Sequence, residues 1–245
     1  MDLSDHKTAF NSVGWFVPPY LQLGYLTQIK DAIVQGRLTQ QNQLGFVLSM
    51  AYGPQHLAAM VCERYPATPF VSDHQETIGE AIEAHFAGQG HVAVAGLVPV
   101  IEGVGRKLLA SRSLTAVGIK SVFSVLADDC KTEVQTNNIG EVAEVVVMLD
   151  SFLDFATQYL YNDSSLYSLS DRTNRHGITH GAYADADYGD PINFYKVVSA
   201  LDFLCFLVAL RAHVSWLAPD PTPRSQKLAQ YYLALMAVRA LKPLP

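Results

Sequence analysis

The sequence predicts an all-α fold, specifically a helical bundle with additional helices at its N-terminal end. Three observations carry this. Apolar residues recur at three- and four-residue spacing through most of the chain. Residues that cap helices stand at the starts of several of these stretches. Short β-branched runs such as Val145-Val146-Val147 lack the flanking turn residues a hairpin needs.

Taken in order, the spacing predicts helices over Tyr20 to Gln35 and Leu38 to Arg64, separated by Gly36. Gly53-Pro54 should break the second, because proline cannot donate within a helix interior. Ser72 with Gln75 reads as a capping box opening a helix to about Ala87, ended by Gly88-Gln89-Gly90. Val92 to Ala110 is the next, with Pro99 as a kink. Asn138 with Glu141 is placed to cap another helix, whose apolar stripe would be Ile139, Val142, Val146, Leu149, Leu153 and Ala156. Asp190-Pro191 starts a helix expected to reach Leu217, and Asp220-Pro221 repeats the device before a last helix to Leu241. The organisation expected is an N-terminal helical region, 1–90, and a bundle over 91–245.

A chain of 245 residues can bury one substantial core, and 49% hydrophobic against 16% charged residues excludes a disordered chain. The net charge of −6 and a pI near 5.7 argue against a broad nucleic-acid-binding surface, though not against a local basic cleft. Cys62, Cys130 and Cys205 are odd in number and widely spaced, which favours reduced core thiols. The first five residues offer neither a basic nor an apolar leader segment, so a cytoplasmic location is expected. Val197 to Leu210 is nearly all apolar, but it contains Asp202, lies between Lys196 and Arg211, and is 14 residues long. A membrane span needs about 20. No membrane partner is expected. A helix apolar all round must be covered, which predicts a homodimer.

The chemistry concentrates in Asp171-Arg172-Thr173-Asn174-Arg175-His176-Gly177-Ile178-Thr179-His180. Arginine brings a permanent charge and a fork that fits phosphate oxygens. Histidine brings a proton acceptor and donor poised near neutral pH. On a straight helix Arg175 and His180 would point about 140° apart, about 7.5 Å along the axis. They converge if the helix is distorted near Gly177, if His180 lies past its end with Gly181 as C-cap, or if a second subunit completes the site.

Arg175-His176-Gly177-Ile178-Thr179-His180, with Asn174 before it and Gly181 after, resembles the signature of the HEPN superfamily: arginine, polar residue, three residues, histidine. The resemblance covers roughly residues 95 to 217. It implies a dimeric helical bundle acting as a metal-independent endoribonuclease of a toxin or abortive-infection type, with motifs from two chains facing each other. It implies catalytic roles for Arg175, His180 and His176, needs no cofactor, and admits an antitoxin or operon partner. In toxins of this family controlled by adenylylation, a tyrosine stands two residues after the histidine. Here that position is Ala182, and Tyr183 follows.

Around this core, Arg172, Asn174, Tyr183, Glu102 and Arg106 are candidate substrate-binding residues. Glu102 and Arg106 form an i,i+4 pair with Gly103 and Gly105 between them, and the glycines suggest close packing against another backbone. Similar Ile-Glu-Gly segments precede the motif in some HEPN-like families, which makes Glu102 a candidate to orient Arg175 or His180. Three other readings stay open. Cations at a helix C-terminus offset the macrodipole without any activity. His176 and His180, four apart, could bind a metal with Asp185, Asp187 or Asp190. A non-catalytic module for nucleotide, RNA or a partner protein would use the same bundle.

Overall fold

The computed structural model describes residues 3–36 and 41–242, which form helices and loops without a strand. The helices are α1 (Ser4–Ser12), α2 (Leu23–Val34), α3 (Gln41–Ala51), α4 (Pro54–Ala59), α5 (Gln75–Phe86), α6 (Gly90–Ser111), α7 (Ile119–Asn137), α8 (Val142–Phe155), α9 (Arg175–Thr179), α10 (Asp185–Tyr188), α11 (Pro191–Ala209) and α12 (Pro223–Leu241). π-Helical turns extend α4 over Met60–Arg64 and α8 over Ala156–Leu160. Short 3₁₀ turns stand at Ser72–His74 and Ser164–Leu166. A helix start at Leu38 lies outside the described residues.

The axis of the molecule is α11. Ile192 to Ala209 are all buried, including Asn193, Lys196, Ser199 and Asp202. At 19 residues and a mean hydropathy of 1.7 it is long and apolar enough to cross a membrane, yet the whole window is covered within the chain. The cover comes from α3 and α6 and from the N-terminal segment, where Trp15 Nε1 donates to Ser199 Oγ at 3.1 Å. Phe16, Phe152 and Phe203 pack as a cluster, the last two stacked at 4.2 Å. Val197–Leu210 therefore supplies no surface for a second copy, which removes the argument that led from it to a dimer.

One hydrophobic core runs from Leu3 to Tyr232. The helices either side of residue 90, α5 and α6, pack on each other, and α12 packs on α4 and α5.

Several expected boundaries shift for identifiable reasons. Asn138 does not cap α8. It closes α7 in the left-handed conformation (φ 51°), which asparagine tolerates, and Glu141 stands at the N-cap of α8. The buried stripe of α8 is Val145, Leu149, Phe152 and Ala156, so Val146 and Leu153 fall to its flank. Ser72 makes no capping bond. The last helix is capped by Thr222 and Ser225, which exchange side-chain and backbone bonds, two residues beyond Asp220. Pro99 sits inside α6, which continues through it. Helix α11 stops at Ala209 rather than Leu217, and Arg64 claims the carbonyls of Ser215 and Leu217 beyond it.

Candidate functional site

The decapeptide divides into an anchor and a working half. In the anchor, Asp171, Thr173 and Asn174 are buried. Asp171 accepts from the Tyr167 hydroxyl and forms an ion pair with Lys196, both charged side chains being closed to solvent. Burial pushes the Lys196 ammonium down in pKa while Asp171 pushes it up, and burial is the larger cause. Thr173 Oγ1 bonds Asn193 Oδ1 at 2.6 Å. The stretch before the motif is thus fastened to α11 twice.

Asn174 then starts α9. Its Oδ1 accepts from Gly177 N at 2.9 Å, and its Nδ2 donates to the carbonyls of Tyr159 and Asn162 at 2.8 and 3.0 Å. Every group of this side chain is used inside the fold, where Asn174 serves as the cap of α9. Arg172 stands before the helix rather than on it, with a left-handed backbone (φ 59°). Its guanidinium lies over the Tyr183 ring at 5.7 Å and turns a donor to the Tyr167 carbonyl, away from the role of a free phosphate grip. Tyr183 in turn is pressed on Gly177, where any Cβ would meet its ring at 2.2 Å. Both residues brace the motif, and Tyr183 has no open ring face for a base on the Gly177 side.

The working half is one helical turn. Arg175 is its first residue, so its charge sits at the N-terminal end and the macrodipole does not account for it. His180 lies just past the end, followed by Gly181 in the left-handed region (φ 68°). The chain thereby folds His180 back: Arg175 Nη1 is 2.9 Å from His180 Nε2 and 3.4 Å from His176 Nδ1. The two imidazoles stack at 5.7 Å, 19° apart. A guanidinium only donates, so the ring nitrogens facing it act as acceptors. Burial, then Arg175, then His180 hold the His176 pKa below its usual value.

Behind Arg175 stands Glu102. Its Oε2 accepts from Arg175 Nε and Nη2 at 3.1 and 3.0 Å, and its Oε1 accepts from Arg106 Nη2 at 3.0 Å. The glycines beside it face rings rather than another backbone. Gly105 lies under Phe123, and Gly103 lies near His74. Arg106 is exposed and reaches the motif only through Glu102.

Beside this constellation opens a cleft of about 550 Å³, which His176 lines together with Gly118, Lys120, Tyr161, Asp163 and Ser164. Lys120 Nζ bonds Asn162 Oδ1 at 2.9 Å. Asp163 caps the 3₁₀ turn, its Oδ1 accepting from Ser165 N and Oγ at 2.9 and 2.7 Å. Tyr161 is buried and stacked on Phe123, and its hydroxyl has no partner among the described residues. Burial and then Glu102 push its pKa up. The sequence alone singled out none of these five lining residues. The Asn-Asp-Ser-Ser string at 162–165 is a turn signal, but nothing in it says that α7 faces it.

A second hollow, about 520 Å³ and mostly apolar, is lined by residues such as Val17, Tyr20, Met148 and Trp216 and touches no motif residue. Among the described residues no three histidine, cysteine or acidic side chains gather as a metal would require. Asp190 caps α11, and Asp187 bonds the backbone of Ala184. The three cysteines are free and buried. Compared with family models, curated proteins and solved structures, the chain has no match.

Proposed function

We propose that this protein cleaves single-stranded RNA without a metal, using Arg175 and His180. The observation that carries the reading is the convergence of one guanidinium and two imidazoles at the rim of an open cleft. The 2′-hydroxyl attacks the adjacent phosphorus and the bond to the 5′-oxygen breaks, leaving a 2′,3′-cyclic phosphate and a 5′-hydroxyl. Arg175 Nη1 transfers its hydrogen bonds from the histidines to the phosphate oxygens, where a fixed donor opposes developing charge. That frees the His180 lone pair to take the 2′-hydroxyl proton. General base catalysis of this kind contributes about 10²–10⁴-fold. His176, after taking a proton from water, hands it to the departing 5′-oxygen as the second proton carrier. The HEPN resemblance adds a homodimer, a toxin or abortive-infection setting and an antitoxin partner to the proposal.

A second reading is favoured by one observation. Glu102 already neutralises Arg175 within the chain, as it would in a module that binds RNA, nucleotide or protein without reacting. Incubation of labelled single-stranded RNA in excess EDTA separates the two. Cleavage to cyclic-phosphate ends, lost in Arg175→Ala and His180→Ala and absent when the 2′-hydroxyl is replaced by hydrogen, supports the first. RNA that is retained but never cut supports the second. Activity abolished by EDTA and restored by zinc sinks the metal-free mechanism.

A further inference from the structure

We propose that the cleft between Lys120, Asp163 and His176 is a nucleobase pocket selective for guanine. The proposal rests on the ribonuclease reading in one respect: it assigns the base to the nucleotide joined to the scissile phosphate.

The argument starts from the mixture of charges. A seat for phosphate alone would collect donors, and a carboxylate in it would repel the ligand. This cleft sets Asp163 in one lining with Lys120 and His176, and after the bonds from Ser165 both help hold the Asp163 carboxyl below its usual pKa. Asp163 stays ionised, because two bonds from Ser165 stabilise its charged form. Those bonds occupy Oδ1 and leave Oδ2 without a partner among the described residues. Lys120 spends one N–H on Asn162 and keeps two. His176 accepts from Arg175 through Nδ1, so its proton sits on Nε2 and it too is a donor. The pocket therefore offers one anionic acceptor beside two donors.

Single-stranded RNA is read in this way, by bonds to the edges of unstacked bases. Guanine alone of the four bases sets two adjacent N–H groups, N1 and N2, next to the O6 acceptor. Asp163 Oδ2 can accept from both as one bifurcated acceptor, and a lysine suits O6. Adenine and cytosine present a single amino group to the carboxylate, and uracil a single imino group flanked by two oxygens. The placement follows as well. The His176 ring lines the cleft and stacks 5.7 Å from that of His180, which puts a base held there on the nucleotide joined to the attacked phosphate.

The test uses short uridine-rich RNAs with 2′-hydrogen at the cleavage point and one variable base beside it, bound to the full chain and followed by anisotropy. Guanine should bind about tenfold or more tightly than adenine or cytosine. Inosine, which lacks the N2 amino group, should fall between. Asp163→Asn keeps the capping oxygen but replaces Oδ2 with a donor, so it should bring guanine to the adenine level and leave adenine unchanged. Lys120→Gln should weaken guanine several-fold. Equal affinity for all bases, a cytosine preference, or a guanine preference unchanged in Asp163→Asn overturns the proposal. All-RNA substrates run in parallel keep the two claims apart. Cleavage without base preference removes the pocket and leaves the nuclease. Guanine-selective binding without cleavage does the reverse. Failure of every RNA to bind removes both.

Discussion

Arg175 Nη1 and His180 Nε2 are 2.9 Å apart although an ideal helix would turn them to different faces. The chain achieves this by stopping. Helix α9 ends at Thr179, His180 leaves helical geometry (φ −101°, ψ 6°), and Gly181 reverses the backbone at φ 68°. Of the three ways the pair could meet, the structure uses the end of the helix within one chain.

Gly181→Ala follows directly. Space is not the obstacle, since a Cβ there meets nothing within 4 Å. The left-handed backbone is, at a cost of about 1–2 kcal/mol for an L-residue. We expect a stability loss of about 1 kcal/mol in chemical denaturation, with a larger proportional loss of RNA cleavage as His180 swings off Arg175. A variant that cuts RNA at the wild-type rate would show that this geometry is not needed.

Much of this architecture is legible in the sequence, because burial imposes the 3.6-residue period and glycine and proline punctuate it. What escaped has physical reasons. Helix α7 begins on Gly118 without a capping side chain and carries polar residues between Phe123, Leu126 and Cys130, so its ends send no signal. It is held by packing on α6 and α8. Asn138 suits a helix end as well as a helix start. In the site, the Arg175–His180 spacing and the Glu102 segment are visible as residue types. The partition of 171–180 into anchor and working half is not, because Lys196 and Asn193 come from another helix. The Lys120–Asp163 wall likewise exists only once α7 and the 162–166 turn are brought together.

The anchor yields the next prediction. Lys196→Met strands the Asp171 carboxylate, since the lysine faces Asp171 and the Val13 carbonyl in a site closed to solvent. Removing one partner of a buried pair costs about 3–5 kcal/mol. Adding Asp171→Asn removes the stranded charge, so the double variant should be less destabilised than the sum of the singles. Strict additivity in urea denaturation would mean that the two side chains do not stabilise each other.

His85 gives a pH dependence. Its ring stacks on Phe194 at 3.8 Å and bonds the Tyr195 hydroxyl at 3.1 Å, and burial lowers its pKa to about 3. The unfolded chain protonates near 6.5, so between pH 6.5 and 3 it binds the extra proton. Stability from this residue is present above pH 6.5 and is lost as pH falls through that window, by at most about 1.4 kcal/mol per unit. His85→Phe should flatten the fall of the thermal midpoint between pH 7 and 4.5. Parallel curves for the two proteins would assign the acid sensitivity elsewhere.

Glu102 decides how Arg175 works. One carboxylate oxygen takes two donors of Arg175 and the other takes Arg106, which leaves Arg175 Nη1 as the group aimed at the histidines. Glu102→Gln offers a single oxygen and turns an amide donor toward one of the arginines, so Arg175 loses its fixed direction. Misplacement by about 1 Å can cost roughly 10²-fold in rate. We expect a fall of that order in kcat with little change in KM. Arg106→Ala should matter little, because an exposed i,i+4 pair contributes only a few tenths of a kcal/mol. A second readout separates positioning from simple support of the fold. Glu102 raises the His176 pKa, so its removal should move the His176 titration further down when the ring is followed by NMR. Unchanged kcat together with an unchanged His176 titration would free Arg175 from Glu102 and leave the carboxylate a surface ion pair. A faster enzyme would instead make Glu102 a restraint that substrate phosphate must displace.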